Sequence, residues 1–416
     1  MAKQYIICGK FFDGVHQELK ENVKILVEDK TIAAVGNNLL KPEDAQTIDL
    51  SHLTVTPGLI DSHLHFEFMG FTFNEFSITD SDEMKTLNLV RNCMIALENG
   101  YTTLRTTGTA FLGFGCMDAK RAIDCGMFPA ARLIVAPHAL GIPGGHWDFS
   151  TFYCNTNPRL CEFMEQKYAL TSGADNFKML VRKQVKYGAD FIKIMATGGF
   201  ASPNDDPAEP QLDDDELRAI INTSHNLGKK VVVHVYGGDV MTRMIGMGID
   251  EIEHGTLMTE EIADTMEKKN IDYVPTIFSL MGDPHAASIT HPRPPAYQRK
   301  LAKYAKQLEE SRATVVRLIK NEIITIGLGS DIVSNNHNIE SWREFQAWRN
   351  IGIPALRTLV AATSANAKIV GRSDIGELVP GKLADIAGWR RDVLSDFDAL
   401  SECSFVMKEG VIYKNL

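Results

Sequence analysis

The chain has 416 residues, 44% hydrophobic and 23% charged, enough for one large domain with a sizeable core and a smaller companion. A formal net charge of -10 and a pI near 5.7 argue against a nucleic-acid partner, because phosphate binding requires a basic face. No run approaches the roughly 18–20 apolar residues of a membrane span, and the N-terminal MAKQYIICGKFFDG lacks the apolar core of a signal peptide. The 7 cysteines are scattered without C-x-x-C pairs, as expected of reduced thiols in a cytoplasmic protein with no membrane partner.

In chain order, the first elements are strands. YIICGKFFDG, NVKILVEDKTIAAVG and AQTIDLSHLTVTPG alternate apolar and polar residues between Gly, Asp and Asn punctuation. The C-terminal KLADIAGWRRD and SFVMKEGVIYKN repeat this texture. Residues 1–56 and 374–416 are therefore expected to pair into one small β-sandwich domain. Between them, eight candidate strands (53–66, 102–108, 131–137, 189–199, 230–238, 249–256, 271–277 and 323–331) alternate with helical patterns such as DEMKTLNLVRNCMIALENG. The fold class predicted is α/β, with residues 57–373 forming a (β/α)8 TIM barrel. Asp213 is expected to cap a helix, with Glu216 completing a capping box. The stretch 283–300, rich in Pro and His, is read as a long rim loop or lid. His285 and His291 are read there as ordinary loop residues, and His337 as near the site without a role.

In such a barrel chemistry gathers at the C-terminal ends of the strands. Strand one ends in GLIDSHLHF, where His63 and His65 project to the same face, a common start for a transition-metal site. Strand four carries Lys193 in DFIKIMATGG, strand five His234 in VVVHVYGG, strand six His254 in EIEHGT and strand eight Asp331 in GLGSD. Each alone has an ordinary reading. A core histidine can be satisfied by a carbonyl, Asp331 can cap a helix, and Lys193 can pair with an acid or snorkel. Joint placement on one rim is what points to a site. Imidazoles and a carboxylate without thiols suit zinc. An ammonium cannot ligate a metal, so Lys193 must be neutral or be converted to an anion. An apolar strand end favours the neutral amine, which can react with carbon dioxide. The carbamate has two oxygens and could bridge two ions, which together activate a water. Asp331 would accept its proton and pass it to the leaving group.

Together these residues resemble the amidohydrolase superfamily. PGLIDSHLH is similar to its strand-one signature, the Lys, His, His and Asp fall on the matching strands, and the closing GELVPGKLADIAGW is similar as well. The resemblance implies that His63, His65, carboxylated Lys193 and Asp331 hold one divalent ion, and that Lys193, His234 and His254 hold the other. KIMATGGFASPNDDP, VHVYGG and PHALGIPGGHWDF resemble its dinuclear dipeptidase group more closely: prolidase-like enzymes and carboxypeptidases that remove C-terminal Arg or Lys. In that group the His of the third-strand loop and the Tyr two residues past the fifth-strand His bind substrate. Carried over, these are His138 and Tyr236, which join Asp331 as catalytic candidates. A Tyr hydroxyl can donate to the oxyanion of a tetrahedral intermediate, and a rim His can hold a carboxylate or a polarised carbonyl. The GIPGGHW loop departs from the polar Thr/Gly-rich form of that group.

The expectation is a dinuclear zinc hydrolase, a homo-oligomer, that cleaves the amide bond of dipeptides or N-acyl amino acids. A C-terminal Arg or Lys ranks first, because Glu67, Asp148, Asp205 and Asp206 lie on the loops after strands one, three and four. Pro or an apolar residue ranks second, because Phe66, Phe68, Trp147 and Phe149 share those loops. Other amide, carbamate or lactone hydrolases stay open. A deaminase would use one metal and a Glu three residues past the strand-five His, where this chain has Gly237. Imidazolonepropionase-like amidases lack the strand-four lysine. A non-catalytic scaffold barrel typically loses metal ligands, whereas this chain keeps all six.

Overall fold

The computed structural model describes residues 3–66, 80–109, 112–152, 159, 161–162, 169–280, 295–332 and 340–416. Glu67, Phe68, His285, His291, His337 and the 283–294 part of the expected rim loop lie outside these residues.

The N-terminal strands are β1 (Lys3–Phe11), β2 (Lys20–Glu21), β3 (Lys24–Glu28), β4 (Thr31–Gly36) and β5 (Gln46–Pro57). The central strands are β6 (Leu59–Leu64), β7 (Tyr101–Thr107), β8 (Arg132–Ala136), β9 (Ala139–Leu140), β10 (Ile192–Met195), β11 (Val231–Val235), β12 (Glu251–His254) and β13 (Asp272–Val274). The last three are β14 (Ile386–Trp389), β15 (Cys403–Lys408) and β16 (Val411–Asn415).

Both chain ends enter one sheet, in the order β16-β15-β14-β5-β1-β3-β4, with β2 on β1. The expected meeting of the two ends is present, as one continuous sheet. Its pairs are antiparallel except β1 with β5. Ile6, Val27, Leu50, Val55, Ile386 and Phe405, drawn from across it, share one buried cluster.

The central strands form two parallel sheets, β6-β7-β8 and β13-β12-β11-β10-β9. Runs such as RLIVA in β8 and VVVHV in β11 are buried at every position. That is the pattern of parallel strands covered on both faces. Helices alternate with them, including Asp82–Glu98, Ala174–Lys186, Asp214–Asn226 and Glu260–Lys269, so the chain is α/β. Ile192, Ile194, Val231 and Val233 pack with Leu217, Ile220 and Met244 of the helices in the main core. The capping box is present: Asp213 accepts from the Glu216 N–H at 2.8 Å, and Glu216 accepts from the Asp213 N–H at 3.0 Å. No helix among the described residues is long and apolar enough to cross a membrane.

Two details position the site. β5 and β6 meet at Gly58, where a Cβ would overlap the Thr102 side chain; only glycine lets β6 approach β7 this closely. The expected strand at 323–331 is an extended tether rather than a ladder. The Leu328 N–H is taken by Asn366 Oδ1 at 3.1 Å, and its carbonyl by Asn366 Nδ2 and Ser62 Oγ, each at 2.8 Å. These side chains add to backbone bonds of the strand type: Ser62 N–H donates to the Leu328 carbonyl at 3.1 Å and Gly327 N–H to the Tyr273 carbonyl at 2.9 Å. The tether still touches both parallel sheets: Tyr273 N–H donates to the Thr325 carbonyl at 2.9 Å, and Asp331 N–H to the His63 carbonyl at 2.8 Å. The second bond fixes Asp331 beside the end of β6.

Candidate active site

His63, His65, Lys193, His234, His254 and Asp331 line one cavity at the ends of the parallel strands. The four imidazoles form a contiguous cluster, with ring centroids 5.4 Å apart for His63–His65, 5.0 Å for His63–His254 and 4.5 Å for His234–His254. One metal-binding atom from each of His63, His65 and Asp331 lies within 4.8 Å of the others. His254 and Asp331 hold their places with φ of 67° and 53°. Left-handed backbone is unfavourable for residues other than glycine and, when it persists, gathers at functional sites. A Cβ on Gly329 would crowd His63, so the GLGSD stretch both places Asp331 and leaves room for the histidine.

Each ring has a polar neighbour at one or both of its nitrogens. His65 Nδ1 is 2.9 Å from the Gly108 carbonyl and His254 Nδ1 is 2.8 Å from Thr276 Oγ1. His234 Nε2 is 3.4 Å from the Gly198 carbonyl. His63 Nε2 faces Asp331 Oδ1 at 3.3 Å. Burial pushes the imidazoles toward the neutral form, His65 down to about 3 and His234 and His254 well below the usual range. Lys193 is buried too; burial and then the nearby Arg105 charge lower its ammonium well below the ordinary lysine value. Burial alone would raise Asp331, but the His63 and His65 imidazoles outweigh it and hold the carboxyl low. Tyr236 is raised, first by burial and then by Asp331, so its phenol stays protonated and can donate.

The donor set fits a divalent metal. Nitrogen ligands in the neutral form, an ionised carboxylate and a deprotonated amine converge on one space.

Tyr236 reaches the cavity; its ring stacks on His254 at 5.2 Å. His138 does not line it. Its N–H donates to Gln184 Oε1 at 3.1 Å and its ring meets Phe114 edge-on. The histidine of the third-strand loop that stands in the cavity is His146, stacked on His234 at 4.4 Å. Its place depends on the ATGG stretch, because a Cβ on Gly199 would overlap the ring. Paired glycines in both ATGG and PGGHW were the available signal of two segments in close approach. Trp147, Phe149, Met195, Phe200 and Tyr297 supply an apolar wall.

The acids of the rim are engaged. Asp205 accepts from Lys300 Nζ at 2.8 Å, from Ser202 Oγ at 2.5 Å and from the Gly199 N–H at 3.2 Å. Asp206 takes Lys303 Nζ at 2.5 Å and the Tyr304 hydroxyl. Asp148 accepts from Gly144 N–H at 2.7 Å and from Ser150 N–H at 3.0 Å. Lys300, on the helix Pro295–Asn321, also donates to the Gly199 and Ser202 carbonyls, both at 2.6 Å. It bolts that helix to the loop behind His146. Lys300→Met is expected to cost roughly 3 kcal/mol of stability, as for breaking a buried ion pair. It is also expected to raise KM more than it lowers kcat. Denaturant midpoints and steady-state kinetics on the same preparation check both effects.

Residues 54–413 match the Amidohydrolase family. Ochratoxinase from Aspergillus niger is 26% identical over 98% of this chain and 86% of its own. A Xaa-Pro dipeptidase solved with methionine in its active site superposes with a TM-score of 0.86 at 27% identity, covering all of both chains. A prolidase solved with N-methylphosphonate-L-proline gives 0.84 at 26%, again with full coverage of both. Fold and site together define a hydrolase acting on amide-type C–N bonds. The chain belongs to the amidohydrolase family.

Proposed function

We propose that the protein is a dinuclear metal hydrolase that splits a dipeptide or N-acyl amino acid and releases an amino acid with an apolar side chain. The observation that carries this reading is the convergence of four neutral imidazoles, a buried lysine and Asp331 on one cavity with an apolar wall. On this reading the two parallel sheets are arcs of one (β/α)8 barrel over 57–373, flanked by a small domain from 1–56 and 374–416.

His63, His65 and Asp331 would hold one ion, and His234 and His254 the other, with carboxylated Lys193 shared between them. Zinc suits these donors. When bound, the ions polarise the scissile carbonyl and lower the pKa of water to near neutral. Asp331 takes a proton from the attacking water and delivers it to the departing amine. Tyr236 donates its phenolic hydrogen to the carbonyl oxygen as charge develops there. His146, beside it, orients the acyl group. Trp147, Phe149 and Phe200 exclude water and cover the released residue's side chain.

A basic side chain would need an unengaged acid. Among the described residues, the rim acids Asp148, Asp205 and Asp206 are each committed to donors of the protein, which favours the apolar preference over Arg or Lys. The methionine held by a similar dipeptidase supports it. A panel of N-acyl amino acids and dipeptides with Zn-loaded protein tests the reading. Phe, Leu, Met or Pro at the released position should exceed Arg and Lys by about tenfold or more in kcat/KM, given roughly 1–3 kcal/mol per mismatched contact. Preference for Arg or Lys would overturn the apolar assignment. Turnover of lactones or carbamates alone would overturn the amide substrate.

A further inference from the structure

Beneath the cavity, β7 and β12 bring charge into the buried interior. Arg105 is 1% exposed, and Glu251 and Glu253 are fully buried. Arg105 forks onto Glu251, with Nη1 at 2.8 Å from Oε2 and Nη2 on Oε1, while its Nε donates to the Ser62 carbonyl at 2.5 Å. That pairing commits the arginine to Glu251; its contact with Glu253 is a long 3.4 Å. Glu253 is turned toward the site instead. Its Oε1 is 2.9 Å from His63 Nδ1, and its Oε2 lies against Lys193 Nζ. A carboxylate this deep is costly to desolvate. One carboxylate touching two of the six ligand candidates calls for a role in the site.

We infer that Glu253 is the positioning residue for both His63 and Lys193. One oxygen accepts the Nδ1–H of His63, which fixes the tautomer and leaves Nε2 facing Asp331. The other accepts the hydrogen that Lys193 retains after carboxylation. In that step Nζ bonds to the carbon of carbon dioxide, releases one proton to solvent and keeps one N–H. A single carboxylate thereby aims one ligand of each kind, as carboxylates behind metal-binding histidines do elsewhere. The inference rests on the dinuclear reading above.

The test is zinc titration of the metal-free full chain, with the visible spectrum of the cobalt-loaded protein as a second readout. In Glu253→Gln, zinc affinity should fall about 10- to 100-fold, the usual cost of losing such a partner, and the cobalt spectrum should change. Glu253→Asp keeps the charge beside Arg105 but is one methylene shorter. It should shift both readouts in the same direction, and it decides the matter if the glutamine variant does not fold. Glu251→Gln removes the arginine's main partner without touching His63 or Lys193. It should lower the unfolding temperature yet leave zinc affinity within about threefold, well short of the loss expected for a ligand-orienting group. Wild-type affinity and spectrum in the folded Glu253 variants would overturn the inference while leaving the dinuclear reading intact. So would an equal loss of affinity in Glu251→Gln. A wild-type chain that takes up no zinc would overturn the dinuclear reading itself, and this inference with it.

Discussion

Lys193→Ala is expected to abolish stoichiometric metal binding and lower kcat/KM by about ten-thousand-fold or more, since activation of water by the ions is lost with them. Lys193 is the one candidate ligand that cannot act in its ordinary state. It sits fully enclosed in β10, its ammonium disfavoured by burial and by Arg105. Those conditions expose the amine to reaction with carbon dioxide. The alanine variant leaves a space where short carboxylic acids fit, so added acetate or propionate should restore part of the metal content and part of the rate. Metal analysis with and without the added acid is the check. Full metal content and full activity in the variant would rule out a shared carbamate.

Asp331→Asn should lower kcat by about 10⁴-fold, the upper range for removal of a general acid–base group, with a further loss from weaker metal binding. Asparagine tolerates left-handed backbone, so the φ of 53° at this position survives the exchange and the fold should hold. The deficit should depend on the leaving group. An acidic leaving group departs without a proton, so an activated aryl ester should lose much less than an amide with a basic amine. An equal deficit for both substrates would mean that Asp331 only binds metal and another group moves the proton.

Much of the site was legible because strand periodicity and strand-end position are written locally. His63 and His65 share a face through simple alternation, and Lys193, His234 and His254 each fall near the C-terminal end of an expected strand. The structure brings all five to one cavity with Asp331. Loop reach was not legible. His138 and His146 lie eight residues apart in one segment. Which one enters the cavity is decided by the space at Gly199 and by Ser202, whose Oγ is 2.8 Å from His146 Nδ1. Rim charge was legible as composition but not as pairing, because Lys300 and Lys303 arrive from a helix about a hundred residues later in the chain. The segment at 323–331 reads as a strand by its apolar pattern. The structure joins it to both parallel sheets by single bridges, Tyr273 with Ile326 and Leu64 with Ile332, and Asn366 shares the Leu328 backbone groups. Glu251 and Glu253 were visible in EIEH as two carboxylates on one face of a buried strand, a signal that only a partner such as Arg105 makes interpretable.

The most direct measurement is the zinc content of the reconstituted full chain, taken beside the same preparation of Lys193→Ala. Four histidines, Asp331 and a lysine that carboxylation would make a ligand line one cavity, and the dinuclear reading predicts two zinc ions per wild-type chain and the loss of stoichiometric binding in the variant. One ion or none in the wild type, or two retained in Lys193→Ala, would contradict the dinuclear site.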